Sequence, residues 1–162
     1  MLLEGSCHCK AVRFNVESAH PYPFNLCYCG ICRKLAGGGG FAINLGASFE
    51  TLEVDGREHV RGYQARLEDE TTGEVSTSNA ERSFCGACGT HLWLWDSRWP
   101  ELVHPLATVI DTPLPTPPER THLMTEFKPD WVVYAPAAQD REHAHYPDES
   151  IADWHRRLGL ES

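Results

Sequence analysis

The sequence holds seven cysteines, and their grouping is its most informative chemical feature. They fall into three groups, with one or two residues between neighbouring cysteines of each group. A zinc ion held by thiolates at about 2.3 Å in a tetrahedron needs sulfurs only ~3.8 Å apart, and cysteines at this spacing reach that separation through a tight turn. The grouping therefore predicts metal binding by Cys7 and Cys9, by Cys27, Cys29 and Cys32, and by Cys85 and Cys88.

Glycines accompany these cysteines where tight turns must form. Gly86 and Gly89 permit the positive φ angles and the close backbone approach of a zinc knuckle, and Gly30 is expected to do the same between Cys29 and Cys32. Two alternatives to metal binding are weaker. Buried structural thiols would come from scattered positions, and a thioredoxin-like dithiol accounts for one C-x-x-C pair but not the C-x-C pairs, and it lacks a βαβ context.

Seven sulfurs do not fill two closed tetrahedral sites, because each closed site takes four protein ligands. Either a histidine completes the second site or one site keeps an open position, which is the arrangement by which zinc does chemistry. The spacing does not say which groups share a metal. The three-sulfur group can coordinate one ion from a single local segment, which leaves two pairs to form a site that closes a long chain loop.

An open three-cysteine zinc site would carry a formal net charge of about −1, so its metal is a weak Lewis acid for water and a good partner for another thiolate. This chemistry favours a thiol substrate over a peptide or a phosphate. Arg33 and Lys34 directly follow Cys32 in an otherwise acidic chain and could attract a carboxylate carried by that thiol. The alternative for this basic pair is a solvated first turn of a helix.

The elements that position these groups are mostly β-strands. Period-2 alternation and β-prone residues predict strands in five segments. The frequent prolines, concentrated at 113–118, predict loops and sheet edges rather than long βαβ units. We therefore expect a mainly antiparallel β protein with strands at 12–16, 41–45, 49–54, 92–95 and 123–127.

Two short helices and one long loop are expected beside the strands. Ser150 can cap a helix that carries Trp154 on its apolar face and stops at Gly159. A second helix is expected from 30 to 35. The segment 64–79 is polar, acidic and rich in threonine and serine without a period, so it is predicted to be a long surface loop that could cover a site.

Length and composition place the chain among ordinary globular proteins. Its 162 residues, 41% hydrophobic and 23% charged, predict one domain, 1–162, with a sufficient core of its own. The net charge of −9 argues against binding to nucleic acid or to an anionic membrane surface. Cys7 follows too few apolar residues for us to expect a signal peptide, and the sequence has no run of about 20 apolar residues. An odd number of cysteines, too few for a disulfide scaffold, leads us to expect a cytoplasmic protein with reduced thiols.

The cysteine motifs resemble those of the glutathione-dependent formaldehyde-activating enzyme family, which includes centromere protein V. The resemblance spans residues 5 to about 95 and includes the order of all seven cysteines. The matching text is GSCHC at 5–9, AVRF at 11–14, CYCGICRK at 27–34 and RSFCGACGT at 82–90.

The resemblance implies an Mss4-like fold, a complex of small antiparallel coiled sheets with a short C-terminal helix. It also implies two zinc ions with different roles. Cys27, Cys29 and Cys32 correspond to the triplet that holds the family's reactive zinc and are the expected catalytic residues. The implied activity joins formaldehyde to glutathione as S-hydroxymethylglutathione, and it is a carbon–sulfur lyase in the reverse direction. The structural zinc is expected at Cys7, Cys9, Cys85 and Cys88.

Two classes of function are consistent with this sequence. In the enzyme, a thiol such as glutathione enters the fourth zinc position, and a small electrophile such as formaldehyde is added to its sulfur or released from it. In the alternative, the metals stabilise a non-catalytic binding module of the Mss4-like type. A module has no need of a third, incompletely ligated cysteine group, which favours the enzyme.

Three histidines near the cysteine groups are weaker candidates. His8 lies between two ligands and is expected to point away from the metal. His91 and His104 are candidate proton carriers, and an ordinary structural histidine is the alternative for both.

Overall fold

A computed structural model describes residues 1–36, 38–69 and 71–160 of the chain. The described residues form 12 strands in three sheets and two short helices, so the expectation of a mainly β protein is confirmed. This described part contains no helix long and apolar enough to span a bilayer. The strands are Leu2–Ser6 (β1), Arg13–Glu17 (β2), Phe24–Cys27 (β3), Ala42–Asn44 (β4), Ala47–Ser48 (β5), Glu53–Asp55 (β6), Val60–Glu68 (β7), Val75–Cys85 (β8), His91–Asp96 (β9), Leu102–Pro105 (β10), Arg120–Leu123 (β11) and Arg141–Glu142 (β12), and the helices are Gly30–Ala36 (α1) and Ile151–Arg157 (α2).

The first sheet pairs β1, β2 and β6 antiparallel and covers one side of the core. Leu3, Phe14 and Val16 alternate with more exposed neighbours and are at most 3% exposed. Gly5 lies opposite Phe14, and a Cβ on Gly5 would lie 2.3 Å from the Phe14 ring. The missing side chain lets that ring lie over β1 and meet Trp93 edge-on at 5.2 Å, which joins this sheet to the next.

The second sheet has the order β5-β10-β9-β8-β7 and is antiparallel throughout. The surface loop predicted at 64–79 is wrong, because most of that segment belongs to the outer hairpin of β7 and β8. Most side chains of this hairpin are exposed on both faces. Polar residues therefore replace the apolar–polar alternation that marks a half-buried strand, and the strand signal is lost. Residue 70, inside the predicted loop, lies outside the described residues.

The third sheet is mixed, which departs from the expected antiparallel pattern. β3, β11 and β12 run parallel to one another, and β4 pairs antiparallel with β3. The strand predicted at 123–127 is displaced, because β11 ends at Leu123 and Thr125–Phe127 form a 3-10 turn. Met124 has φ +59, a left-handed conformation that turns the chain out of the sheet. The parallel strands end at one edge of the sheet, where β3 reaches Cys27.

The other predicted strands are largely found. Segments 12–16, 41–45 and 92–95 correspond to β2, β4 and β9. Segment 49–54 begins instead with a 3-10 turn at Phe49–Thr51, and only its end belongs to β6.

Both predicted helices form, and the second one is docked by a buried carboxylate. The Ser150 hydroxyl caps α2 by accepting a bond from the Asp153 amide at 3.1 Å. The Glu119 carboxylate accepts bonds from the Trp154 indole N–H at 2.9 Å and from the Arg157 guanidinium at 2.6 Å. Because Glu119 and Trp154 are 8% and 2% exposed, this polar contact fixes the helix against the body of the protein.

Tyr28, the residue after β3, is held by a buried chain of hydrogen bonds. Its hydroxyl lies 2.9 Å from Nδ1 of His122, and Nε2 of His122 lies 3.4 Å from the Asp140 carboxylate. Asp140 also accepts the backbone amides of Arg120 and Ala137, both at 2.9 Å. Because the Asp140 carboxylate accepts a hydrogen bond from the Nε2–H group of His122, Nδ1 is the acceptor for the Tyr28 hydroxyl. Burial raises the pKa of Tyr28 to about 12, so it stays a donor.

Removing the Tyr28 hydroxyl leaves a buried nitrogen of His122 without a partner. We expect Tyr28→Phe to lower the free energy of unfolding by about 1–3 kcal/mol, measured by urea unfolding of the metal-loaded protein. Tyr63→Phe is the matched control, because Tyr63 is 44% exposed. Equal stability of the two variants would show that the bonded chain contributes nothing.

The Glu119 contact predicts a pH dependence of stability. Hydrogen bonds from Arg157 lower the pKa of Glu119 below its ordinary 4.5. The contact therefore stabilises above that value, and its contribution is lost as the pH falls through the folded-state pKa. We expect Glu119→Gln to cost about 1–3 kcal/mol at neutral pH, and its deficit to shrink in urea titrations carried out below pH 4.5.

The control for this experiment is Glu58→Gln, which removes an exposed pairing with His59 and should change stability little at any pH. A Glu119→Gln deficit that stays constant as the pH is lowered would contradict the ionic role of Glu119.

Candidate functional site

Four cysteines meet where the first and second sheets join. Cys7 and Cys9 follow β1, whereas Cys85 ends β8 and Cys88 lies in the turn after it. The Sγ atoms of Cys7 and Cys9 are 3.5 Å apart, those of Cys9 and Cys85 are 3.8 Å apart, and all four lie within 4.8 Å of one another. These separations match a tetrahedral thiolate site and far exceed an S–S bond of about 2.05 Å. The first and third groups thus share one cluster, a pairing that the spacing left open.

Backbone contacts shape the two loops that carry this four-cysteine cluster. The Val12 amide donates to Sγ of Cys7 at 3.2 Å, and the Cys7 amide donates to the Val12 carbonyl at 3.0 Å. Gly89 has the expected positive φ, +74, and a Cβ on Gly86 would lie 3.2 Å from a backbone carbonyl oxygen. Gly30 has neither a positive φ nor a close neighbour, so the tight turn predicted there is wrong. Gly30 is instead the first residue of α1.

The remaining cysteines form a three-cysteine cluster within one short segment. Cys27 ends β3, Cys29 precedes α1 and Cys32 lies within α1, and their Sγ atoms lie within 4.8 Å of one another. Cys27 and Cys32 are buried, and Cys29 is half-buried. Among the residues that the structure describes, no histidine or carboxylate ligand atom joins this cluster. Of the two alternatives for the second site, the geometry supports the open one.

Both clusters could bind metal ions. Their donor atoms are sulfurs alone, the set preferred by soft, thiolate-binding metals. Hydrogen bonds from the thiols of Cys27 and Cys32 lower the pKa of Cys29, which favours a thiolate there. One cluster offers four ligands and closes a site, whereas the other offers three and leaves a position for an outside ligand.

Arg33 and Lys34 lie on α1, the helix of the three-cysteine cluster. Lys34 is exposed, whereas Arg33 is half-buried with its Nε atom buried and unpaired. Within the described ranges, neither takes part in an ion pair. Both cations therefore follow Cys32 directly on the same helix. Among the described residues, no carboxylate forms an ion pair with either of them.

A cavity of about 380 Å³ opens between α1 and the face formed by β7, β8 and β9. A smaller depression of about 270 Å³ shares part of its lining and extends the same groove. Sequence reasoning singled out His91 here and missed the other cavity side chains, because nothing local to a strand shows which of its charged residues is buried. The lining includes Leu35, Tyr63, Arg82, Phe84, Gly89 and His91.

His91 is the member of the three candidate histidines that reaches this cavity. It is 8% exposed, and both ring nitrogens are buried without a hydrogen-bond partner. Burial, together with the charge of Arg82, lowers the pKa of His91 to about 4, so the ring is uncharged at neutral pH. His104 is engaged elsewhere, with Nδ1 bonded to the Leu45 carbonyl at 2.9 Å. His8 is exposed and joins neither cluster.

The chain is similar to known proteins over most of its length. The family model described as glutathione-dependent formaldehyde-activating enzyme matches residues 2–127, which include both cysteine clusters. A Halomonas elongata protein, whose name assigns it provisionally to these enzymes, is 62% identical over 161 residues, 99% of each chain. A crystal structure of a Rhodobacter sphaeroides protein shares 24% identity over 69% of this chain and 91% of that one, with a TM-score of 0.49. The chain belongs to the glutathione-dependent formaldehyde-activating enzyme family.

Proposed function

We propose that the protein is a zinc-dependent carbon–sulfur lyase that interconverts S-hydroxymethylglutathione with glutathione and formaldehyde. The observation that carries the proposal is the three-cysteine cluster, which has no fourth ligand among the described side chains. The helix that carries this cluster also borders a cavity large enough for a small organic molecule. Membership of the family supports glutathione and formaldehyde as the substrates.

The proposal gives the two clusters different tasks. Cys27, Cys29 and Cys32 hold the reactive zinc, while Arg33 and Lys34 attract a carboxylate of the thiol substrate. A zinc ion with three thiolate ligands and one open position supplies a place where a substrate thiol binds as its thiolate. The structural zinc is held by Cys7, Cys9, Cys85 and Cys88.

The reaction needs no oxidant or reductant. In the direction of synthesis, the thiol sulfur gives an electron pair to the carbonyl carbon of formaldehyde and a C–S bond forms, while the C=O π bond breaks and its electron pair moves to oxygen. The carbonyl oxygen gains a proton that balances the proton lost by the thiol. In the reverse direction, the hydroxyl oxygen loses its proton, the C–S bond breaks, and its electron pair leaves with sulfur. The protein contributes by binding and orienting the thiol beside the cavity that Leu35, Arg82 and His91 line.

The enzyme is favoured over the non-catalytic binding module, because the family to which the chain belongs is an enzyme family. The proposal treats residues 1–162 as one zinc-binding domain. It also places the protein in the cytoplasm, since seven free thiols persist in a reducing compartment.

The two clusters should retain zinc unequally. Brief chelation should empty the three-cysteine cluster first, because a chelator can enter its open position, whereas the four-cysteine site is closed and coupled to folding. We expect this order even though Cys9 and Cys88 are exposed and Cys27 and Cys32 are buried. Metal analysis before and after the treatment, on the protein and on Cys32→Ser, measures it. Simultaneous loss of both ions would count against the assignment.

Thiol-dependent consumption of formaldehyde tests the reaction. The protein should accelerate it above the uncatalysed rate, and Cys27→Ser, Cys29→Ser and Cys32→Ser should each abolish the acceleration with a small change in melting temperature. Cys88→Ser is the contrasting variant, and it should lower the melting temperature strongly because it opens a site that joins distant segments.

Two results would contradict this proposal. A zinc-loaded protein that leaves the uncatalysed rate unchanged would refute the activity. If Cys32→Ser lowered the melting temperature as much as Cys88→Ser does, the structural and reactive roles would have been assigned to the wrong clusters.

A further inference from the structure

Arg82 is a buried cation without a carboxylate partner in the described part of the chain. It is 6% exposed, and its Nε atom has no hydrogen-bond partner. Its Nη1 atom donates one long bond, 3.4 Å, to a backbone carbonyl two residues earlier. The buried carboxylates are paired, since Asp96 lies 2.7 Å from Arg98 and Glu119 lies 2.6 Å from Arg157. Arg82 is thus an exception to the charge pairing of this interior.

A buried guanidinium with unfilled donors is unfavourable, because it gives up its hydration and gains neither an opposite charge nor enough acceptors. The donors of arginine form a planar fork that fits a carboxylate through two parallel bonds. The missing partner of Arg82 is therefore expected to be an anion from outside the chain, with the geometry of a carboxylate.

The cavity that Arg82 lines has the size and character of a site for a small organic anion. Its volume of about 380 Å³ lies within the usual range of small-ligand pockets. Leu35, Tyr63 and Phe84 give it apolar walls, while Arg82 and His91 are its cationic and polar groups. The uncharged ring of His91 can donate a hydrogen bond to a carboxylate through one nitrogen, and both of its nitrogens are unpaired.

Helix α1 connects the cavity to the three-cysteine cluster. Leu35 follows Cys32 on α1 by three residues, close to one helical turn. A molecule seated in the cavity therefore lies against the helix that carries Cys32.

We propose that this cavity binds the carboxylate-bearing part of the thiol substrate, with one carboxylate paired to the Arg82 guanidinium and bonded by the His91 ring. This site rests on the proposed function, whose thiol it positions. Arg33 and Lys34 on α1 then serve a second carboxylate, so a thiol with two carboxylates, such as glutathione, engages both sets of cations.

Binding of S-methylglutathione tests the site without help from sulfur, since the methylated thiol cannot ligate a metal as a thiolate. Isothermal titration calorimetry on the metal-loaded protein should detect binding, and Arg82→Met should weaken it about 10- to 100-fold, as expected for loss of a charge-assisted hydrogen bond. Arg82→Lys keeps the positive charge but lacks the planar pair of guanidinium donors, so it should bind more tightly than Arg82→Met and more weakly than the unchanged protein. Arg66→Met is the matched control, because Arg66 lies exposed on the same hairpin and pairs with Glu68.

A second test uses the unmodified protein and does not depend on the folding of any variant. The dimethyl ester of S-methylglutathione keeps the shape of the ligand but lacks both carboxylates, and it should bind at least about 10-fold more weakly than the acid. Equal affinity for acid and ester, or no binding of the acid, would overturn the proposal.

The variants also separate this proposal from its competitors. If Arg82 served only as a countercharge for the thiolates, Arg82→Met would speed metal loss to a chelator and leave S-methylglutathione binding unchanged, which would overturn the proposal. It would also fail if Arg33→Ala with Lys34→Ala weakened binding and Arg82→Met did not. Conversely, binding through Arg82 in a protein that consumes no formaldehyde would refute the proposed function and leave this site established.

Discussion

The convergence of four sulfurs from two distant segments is the constraint on which the rest of the structure depends. Cys9 and Cys85 are 76 residues apart in the chain, yet their sulfurs lie 3.8 Å apart. Holding them together sets the end of β1 against the end of β8 and so places the first sheet on the second. The edge-on contact of Phe14 and Trp93 fills the junction with apolar rings. A metal bound at this point, as we propose, would close a long loop, and its loss would remove the restraint that holds the two sheets together.

The other cluster imposes no such constraint on the chain. Its three sulfurs come from residues 27–32, so a metal there joins no distant segments. Its position is set instead by its surroundings. The preceding strand is paired on both sides, and Tyr28 is tied through His122 to Asp140, far along the chain. In the proposed assignment, the metal that maintains the fold and the metal that exchanges ligands therefore differ in the length of chain that each one spans.

The features that could be predicted from the sequence were those decided by short-range chemistry. Cysteine spacing indicated three metal-binding groups, although it did not show that the first and third share one cluster. Ser150 marked the start of α2 because a cap acts within one turn. The features that were missed are decided by packing between distant segments. The hairpin within 64–79 has no buried face to produce an alternation, and the parallel pairing of β3 with β11 joins segments far apart. In the sequence, Arg82 cannot be distinguished from a surface arginine. Its burial results from the packing of three strands and a helix around it.

Gly89 belongs both to the turn that carries Cys88 and to the wall of the cavity. In the proposed assignment, a metal in the four-cysteine cluster would hold this turn and, with it, that part of the wall. Two binding events that share one structural element are thermodynamically linked, and the linkage is reciprocal. To the extent that the metal shapes the cavity for a ligand, the ligand must strengthen the hold on the metal by the same factor. A cell rich in the ligand would then keep this fold intact at zinc levels that would otherwise let it come apart.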